Sequence, residues 1–256
     1  MEIYADWERA QVVFGNLVRS LRALEYPYNG SVLPQRFIGD AITSDPVVHS
    51  RFLFYVCHFM RGSVKSDFAI RQLVALFVDH PHFFDPFAVA SIDTNDLFRE
   101  LQGRLKYRPK QISSFWKENS RRLVLHWNGD PRTLFQELQG SDGMYERITN
   151  KAVRKPKTDP DNRLAGFVGF QKKMASMLHY FLADAELITP LNASPAVDFH
   201  LLRIMLATGV LQVEKEADEV LRYEHLTPRG IEVTERYCRE LGVSSVELGD
   251  ALWALS

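Results

Sequence analysis

The chain has 256 residues, 46% of them apolar and 25% charged, with a formal net charge of −1. That balance suits a globular protein with a sizeable core and excludes recognition of a polyanion by overall charge, so any basic surface has to be local. The longest apolar runs, such as Phe52–Cys57, are too short to cross a bilayer, and MEIYADWERAQ carries no signal-peptide pattern. Two cysteines, Cys57 and Cys238, cannot build a disulfide framework, a four-thiolate zinc site or a four-cysteine iron–sulfur cluster. A reducing, cytoplasmic setting is expected, nucleoid-associated in a prokaryote, with no membrane partner.

The pattern is helical along nearly the whole chain. Residues 6–24 form a first helix, with Trp7, Val12, Val13, Leu17 and Leu21 recurring near the 3.6-residue period. PYNGSVLP (27–34) breaks it. Residues 46–60 form a second, entered through Asp45-Pro46 and so rich in Phe and Tyr that deep burial is expected. After RGSVKSD (61–67), Asp67 is placed to cap FAIRQLVALFVDH. Further helices are expected near 94–103, 110–127, 131–138, 171–183, 199–211, 228–241 and 245–255. Short strand possibilities exist only near 210–214 and 220–226. There is no repeat of fixed period and no low-complexity tract. The expected fold class is all-α.

Charge is segregated along this pattern. Residues 104–122, RLKYRPKQISSFWKENSRR, hold seven Lys/Arg against one Glu, and KAVRKPK (151–157) adds four more basic residues. EKEADE (214–219) is acidic. The basic blocks are compatible with a phosphate-tracking face, although a charge run taken alone is more often a solvated helix surface. His80, His82 and Asp85 have a metal-like spacing, but no third His/Cys cluster closes a site, so a turn before Phe83 is the simpler reading and no metal or cofactor is expected.

The stretch GFVGFQKKMASMLHYFL (166–182) places Lys172 and Lys173 in the first turn of a helix, where the dipole ordinarily favours acids. Gly166 and Gly169 precede them, so the backbone can turn tightly and bring N–H groups toward an anion. Further on, Asp198 directly precedes the apolar run FHLLRIML, which makes it a natural N-cap, worth about 1 kcal/mol with no chemistry required.

In this order the pieces resemble the helix-hairpin-helix superfamily of base-excision DNA glycosylases. FVGFQKKMA (167–175) is similar to the family's L-P-G-V-G-x-K-x-A, with Gly169 on the first hairpin glycine, Lys173 on the lysine and Ala175 on the alanine. AVDFHLLRI resembles V-D-x-H-x-x-R, with Asp198 on the catalytic aspartate, His200 on the histidine and Arg203 on the arginine. YRPKQISSFWKENSRRLVLHWNGDPRTLFQEL (107–138) resembles the helix preceding the hairpin. The likeness covers about residues 46–212. Val168 stands for the proline, Gln171 for the second glycine, and the lysine-to-aspartate gap is longer than usual. The chain ends at GDALWALS, without the family's iron–sulfur loop.

The resemblance implies two helical lobes with an active-site cleft between them: a helical barrel over 46–190 ending in the hairpin, and a second lobe of 1–45 plus 191–256. It implies base excision from double-stranded DNA carrying a modified or damaged base, flipped into a pocket by a monomer needing no cofactor. Asp198 is then the carboxylate that stabilises the developing oxocarbenium ion. Lys173 is the amine that forms a Schiff base and permits strand cleavage, with Lys172 as its neighbour or substitute. Gly166, Gly169, Gln171, Lys151, Arg154, Lys155 and Arg203 are the expected DNA contacts. Phe54, Tyr55, Phe59, Met60, Arg61, Phe199 and His200 are candidates for the base pocket or the wedge. Two other readings stay open: a nucleoside or nucleotide N-glycosidase in modified-base salvage, and a helical DNA-binding module without chemistry.

Overall fold

The computed structural model describes residues 1–30, 33–60, 64–149, 166–216 and 219–255. In chain order its elements are β1 (Glu2–Ala5), α1 (Trp7–Arg22), α2 (Asp40–Thr43), α3 (Pro46–Val56), α4 (Ser66–Asp79), α5 (Pro86–Ser91), α6 (Thr94–Arg104), α7 (Pro109–Trp127) and α8 (Ser141–Ile148). They continue with α9 (Lys172–Asp184), α10 (Phe199–Ala207), β2 (Leu211–Glu214), α11 (Tyr223–Leu241) and α12 (Ser245–Trp253). The described residues are mostly helical, with a single two-stranded sheet. They divide into two compact units: Met1–Ser31 with Gln139–Ser141 and Pro190–Ser256, and Val32–Leu138 with Asp142–Thr189. Residues 33–45 thus belong with the larger unit, not with the N-terminal helix.

In the smaller unit, Ala10, Phe14 and Val18 recur every four residues, so one face of α1 is buried throughout. They join Leu201, Leu202 and Met205 of α10, Val233 and Tyr237 of α11, and Leu248 and Leu252 of α12 in one core. Phe14 meets Tyr237 edge-to-face, centroids 5.2 Å apart. Gly230 permits the close approach of α11 to α10, since a Cβ there would lie 2.8 Å from Leu202 Cδ2. β1 and β2 pair antiparallel, Glu2 opposite Glu214 and Ala5 opposite Leu211. β1 carries no strand signal of its own; its partner lies at the other end of the chain. Residues 220–226, a possible strand by sequence, instead run into α11, which starts at Tyr223 and tolerates Pro228 near its N-terminus.

In the larger unit, α3 is buried on nearly every side from Phe52 to Val56, which marks it as the central helix. Asp45 caps it by accepting from Val47 N and Val48 N at 2.7 and 3.2 Å, and Pro46 occupies the first helical position. Its continuation to residue 59 tightens into a 3-10 turn, Cys57–Phe59. α7 lies against it, with Tyr55 stacked on Trp116 at 4.5 Å and 10°, while the Trp116 indole donates to Phe83 O at 2.8 Å. Three expectations change here. α4 starts at Ser66, so Asp67 is a first-turn acid and not the cap. Residues 131–138 form only a 3-10 segment, Pro131–Phe135, because Asp130 caps a single turn and Glu137 takes a positive φ of 63°. α5 and α8 were not visible as periodic patterns; six and eight residues are too few for one.

Candidate functional site

Two helix starts carry the candidate residues, one in each unit. In the larger unit, the chain approaches α9 through Gly166–Gln171. Gly166 and Gly169 both take positive φ, 69° and 79°. Phe170 N donates to Phe167 O at 3.0 Å, closing a turn with Val168 and Gly169 at its centre. A positive φ at the second central residue is the type II signature, the reason glycine suits position 169. Gly166 is fixed by close approach as well: a Cβ there would lie 2.1 Å from Thr149 O. The turn is bound to the core at several points. Phe167 N donates to Ile148 O at 3.0 Å. Phe167 and Phe170, both fully buried, pack on Phe54 at 5.2 and 5.6 Å.

Two side chains of α7 hold the turn's backbone. Arg122, only 3% exposed, donates from Nη1 to Gly166 O at 3.0 Å while its Nε bonds Glu118. Asn119, fully buried, accepts from Val168 N through Oδ1 at 2.7 Å and donates through Nδ2 to Val168 O at 2.9 Å. The same Nδ2 lies 2.9 Å from His58 Nε2. Because Val168 fixes which end of the amide is nitrogen, His58 Nε2 must be the acceptor. The imidazole proton then sits on Nδ1, toward the carbonyls of Phe54 and Tyr55 at 3.2 Å.

α9 begins where this turn ends. Gln171 stands at the N-cap with extended backbone but makes no side-chain bond to the helix amides. Lys172 is exposed, its Nζ 5.1 Å from the centroid of the Tyr145 ring, and the Tyr145 hydroxyl pairs with Ser176 at 3.0 Å. Lys173 is half-buried. The rest of α9 is core: His179 is 1% exposed, and burial lowers its pKa to about 4.

In the smaller unit, Asp198 is the N-cap of α10, accepting from His200 N and Leu201 N at 2.9 and 3.2 Å. Phe199 is 51% exposed. The Arg203 guanidinium lies 5.5 Å from its centroid, and the exposed His200 ring meets it edge-on at 5.8 Å. An exposed aromatic ring flanked by two nitrogen-bearing side chains beside a carboxylate is a surface suited to stacking a flat heterocycle.

Other expected contacts fall elsewhere. Phe54, Tyr55 and Phe59 have no exposed surface and Met60 is 5% exposed. They are core residues of α3 and the turn after it, not a base pocket, because their ring faces are already covered by Trp116, Phe167 and Phe170. Arg61, Lys151, Arg154 and Lys155 lie outside the described residues. The basic block 104–122 is not one face. Arg104 pairs with Asp79, Lys117 donates to Ile92 O at 2.6 Å, and Arg122 is buried under the turn. Lys106, Arg108 and Lys110 are exposed around the start of α7. His80 and His82 flank Pro81 on a 3-10 turn, with His80 Nε2 3.6 Å from Glu100.

The residues that sequence reasoning missed are Asn119, Arg122 and Tyr145. Asn119 did leave a signal: it interrupts the buried α7 stripe of Ile112, Trp116 and Leu123, and a polar group at such a position needs a partner. Comparison with protein-family models, curated proteins and solved structures finds no match for the chain.

Proposed function

We propose that the protein is a DNA N-glycosylase of the helix-hairpin-helix kind with associated lyase activity, acting on double-stranded DNA that carries a modified or damaged base. The observation that carries this reading is the start of α9. A type II glycine turn, anchored to the core, delivers two lysines to a helix N-terminus whose own N-cap residue, Gln171, makes no side-chain bond to its amides. Such an N-terminus reinforced by ammonium groups suits a phosphate. The Lys172 ammonium faces the Tyr145 ring, and Lys173 takes the role of attacking amine by its place on the lysine of the family's hairpin motif.

In the proposed reaction the base leaves with the electron pair of its glycosidic bond and takes up a proton. Lys173 Nζ gives up a proton to solvent, its lone pair forms the new bond to C1′, and the nitrogen then releases a second proton. The C1′–O4′ bond then breaks, O4′ keeping its electron pair and taking up a proton, to leave a protonated Schiff base. Loss of a C2′ proton forms the C2′–C3′ double bond and expels the 3′ phosphate with the pair of its C3′–O bond. Positive charge on the sugar peaks as the base departs, and the family resemblance gives Asp198 the role of the carboxylate that stabilises it. Arg203, with Phe199 and His200, supplies a cationic and aromatic surface for the backbone and the displaced base.

The test uses a duplex with a single abasic site, which needs no knowledge of the excised base, and a panel of duplexes with modified bases. With borohydride present, wild type is expected to form a covalent adduct on the abasic duplex, and Lys173→Ala to lose it. Asp198→Asn keeps a good cap but removes the charge, so it should fold normally and lose base release by about a hundredfold or more. Free-nucleoside hydrolysis without any adduct would favour the salvage reading; DNA binding with neither adduct nor release would leave a binding module. DNA affinity should also fall steeply with salt, as phosphate contacts release counterions.

A further inference from the structure

The central peptide of the 167–170 turn, between Val168 and Gly169, is the one whose orientation separates a type I from a type II turn. Glycine at 169 permits the type II form but can adopt either. α7 holds the peptide in the form observed. Asn119 grips both polar groups of Val168: the N–H through Oδ1 and, through Nδ2, the carbonyl that belongs to the flippable peptide. Asn119 is in turn oriented by His58, which accepts its second amide proton. A peptide flip would turn the Val168 carbonyl away from Nδ2 and reverse the Gly169 N–H, three residues before Lys172. Phe170, packed on Phe54 directly before Gln171, fixes the far side of the same turn, so the Asn119 clamp and this ring together set the line on which the chain enters α9.

We propose that Asn119 is a positioning residue for the lysine pair: by locking the central peptide of the turn in its type II orientation, it aims the start of α9 and hence Lys173. The inference rests on Lys173 being the attacking amine. Asn119 touches no reacting atom. Its contribution is geometric, and misplacing a reacting group by about 1 Å can cost about a hundredfold in rate.

Two variants separate this role from a merely structural one. Asn119→Asp is nearly isosteric and still accepts from Val168 N–H, but it sets a carboxylate oxygen against the Val168 carbonyl and so favours the flip. Asn119→Ala/Val168→Pro removes the clamp and replaces it with Pro-Gly at the two central positions, a pair that selects the type II turn by itself. The probe is the abasic duplex with borohydride, under saturating DNA, with cooperative urea unfolding as the check on folding. Asn119→Asp and Asn119→Ala are expected to bind the duplex within about threefold of wild type. Their adducts should form about a hundredfold more slowly. The Asn119→Ala/Val168→Pro variant should recover at least about tenfold of that loss. If folded Asn119→Asp forms adduct at the wild-type rate, the proposal is overturned while the lysine mechanism stands. Equal loss in the single Asn119→Ala and the proline-rescued variant, both folded, overturns it too. Absence of adduct from wild type overturns the lysine reading itself and the positioning role with it.

Discussion

The starts of α9 and α10 solve the same problem in opposite ways. Every helix leaves its first amides without intrahelical partners. α10 meets this locally: Asp198 folds its own carboxylate over the amides of His200 and Leu201. α9 does not. Its N-cap residue, Gln171, makes no such bond, and the chain before it is held by Asn119 and Arg122 from α7. A self-capped helix start survives the loss of distant contacts; one gripped from outside depends on them.

Gly166→Ala tests that dependence most severely. It places a Cβ against the Thr149 backbone in a left-handed conformation, where neither partner is a flexible side-chain end. A loss of about 3 kcal/mol is expected from urea unfolding, and a loss below about 1 would show the turn to be pliable. Next comes the buried body of α9. His179 is lowered by burial from 6.5 to about 4, so the unfolded chain takes up its proton first as pH falls. Stability from this group is intact above about pH 6.5, erodes between there and about pH 4, and changes no further below that. Between about pH 7 and pH 4.5, wild type should lose about 2–3 kcal/mol more than His179→Leu; parallel pH profiles would refute the assignment.

The two smaller effects exchange the strategies. Asp198→Ala should cost about 1 kcal/mol in urea unfolding, and no measurable loss would show that the cap does not hold α10. Gln171→Asp should give α9 the cap it lacks, since residue 171 already has the extended backbone of a cap, raising stability by about 0.5–1 kcal/mol. On the proposed function, the same change should weaken DNA binding and slow adduct formation. A stabilised variant with unaltered DNA affinity would show that those amides do not meet phosphate.

Much of this was legible beforehand because it is local. The Asp45 and Asp198 caps depend on amides two or three residues away, and the burial of α3 follows from its unbroken run of large apolar side chains. What was not legible depends on distant partners. Arg122 reads as one member of a basic run, yet it lies buried against Gly166 O. Phe54 and Tyr55 lie in a helix expected to be deeply buried and are also candidates for base contacts; Phe167, Phe170 and Trp116 decide for core. β1 became a strand only because β2 returned beside it.

The amino-acid sequence by itself determined the helical class, the principal helix starts and the order of glycine turn, lysine pair and capping aspartate, since periodicity, capping and turn preference all act within a few residues. Tertiary structure alone decided which charges became struts, which aromatic rings were covered, and which polar side chain set the turn before the lysines. Asn119 acts on Val168 across 49 residues of chain. A side chain's function at that range is a property of its neighbours in space, and those exist only once the core has formed.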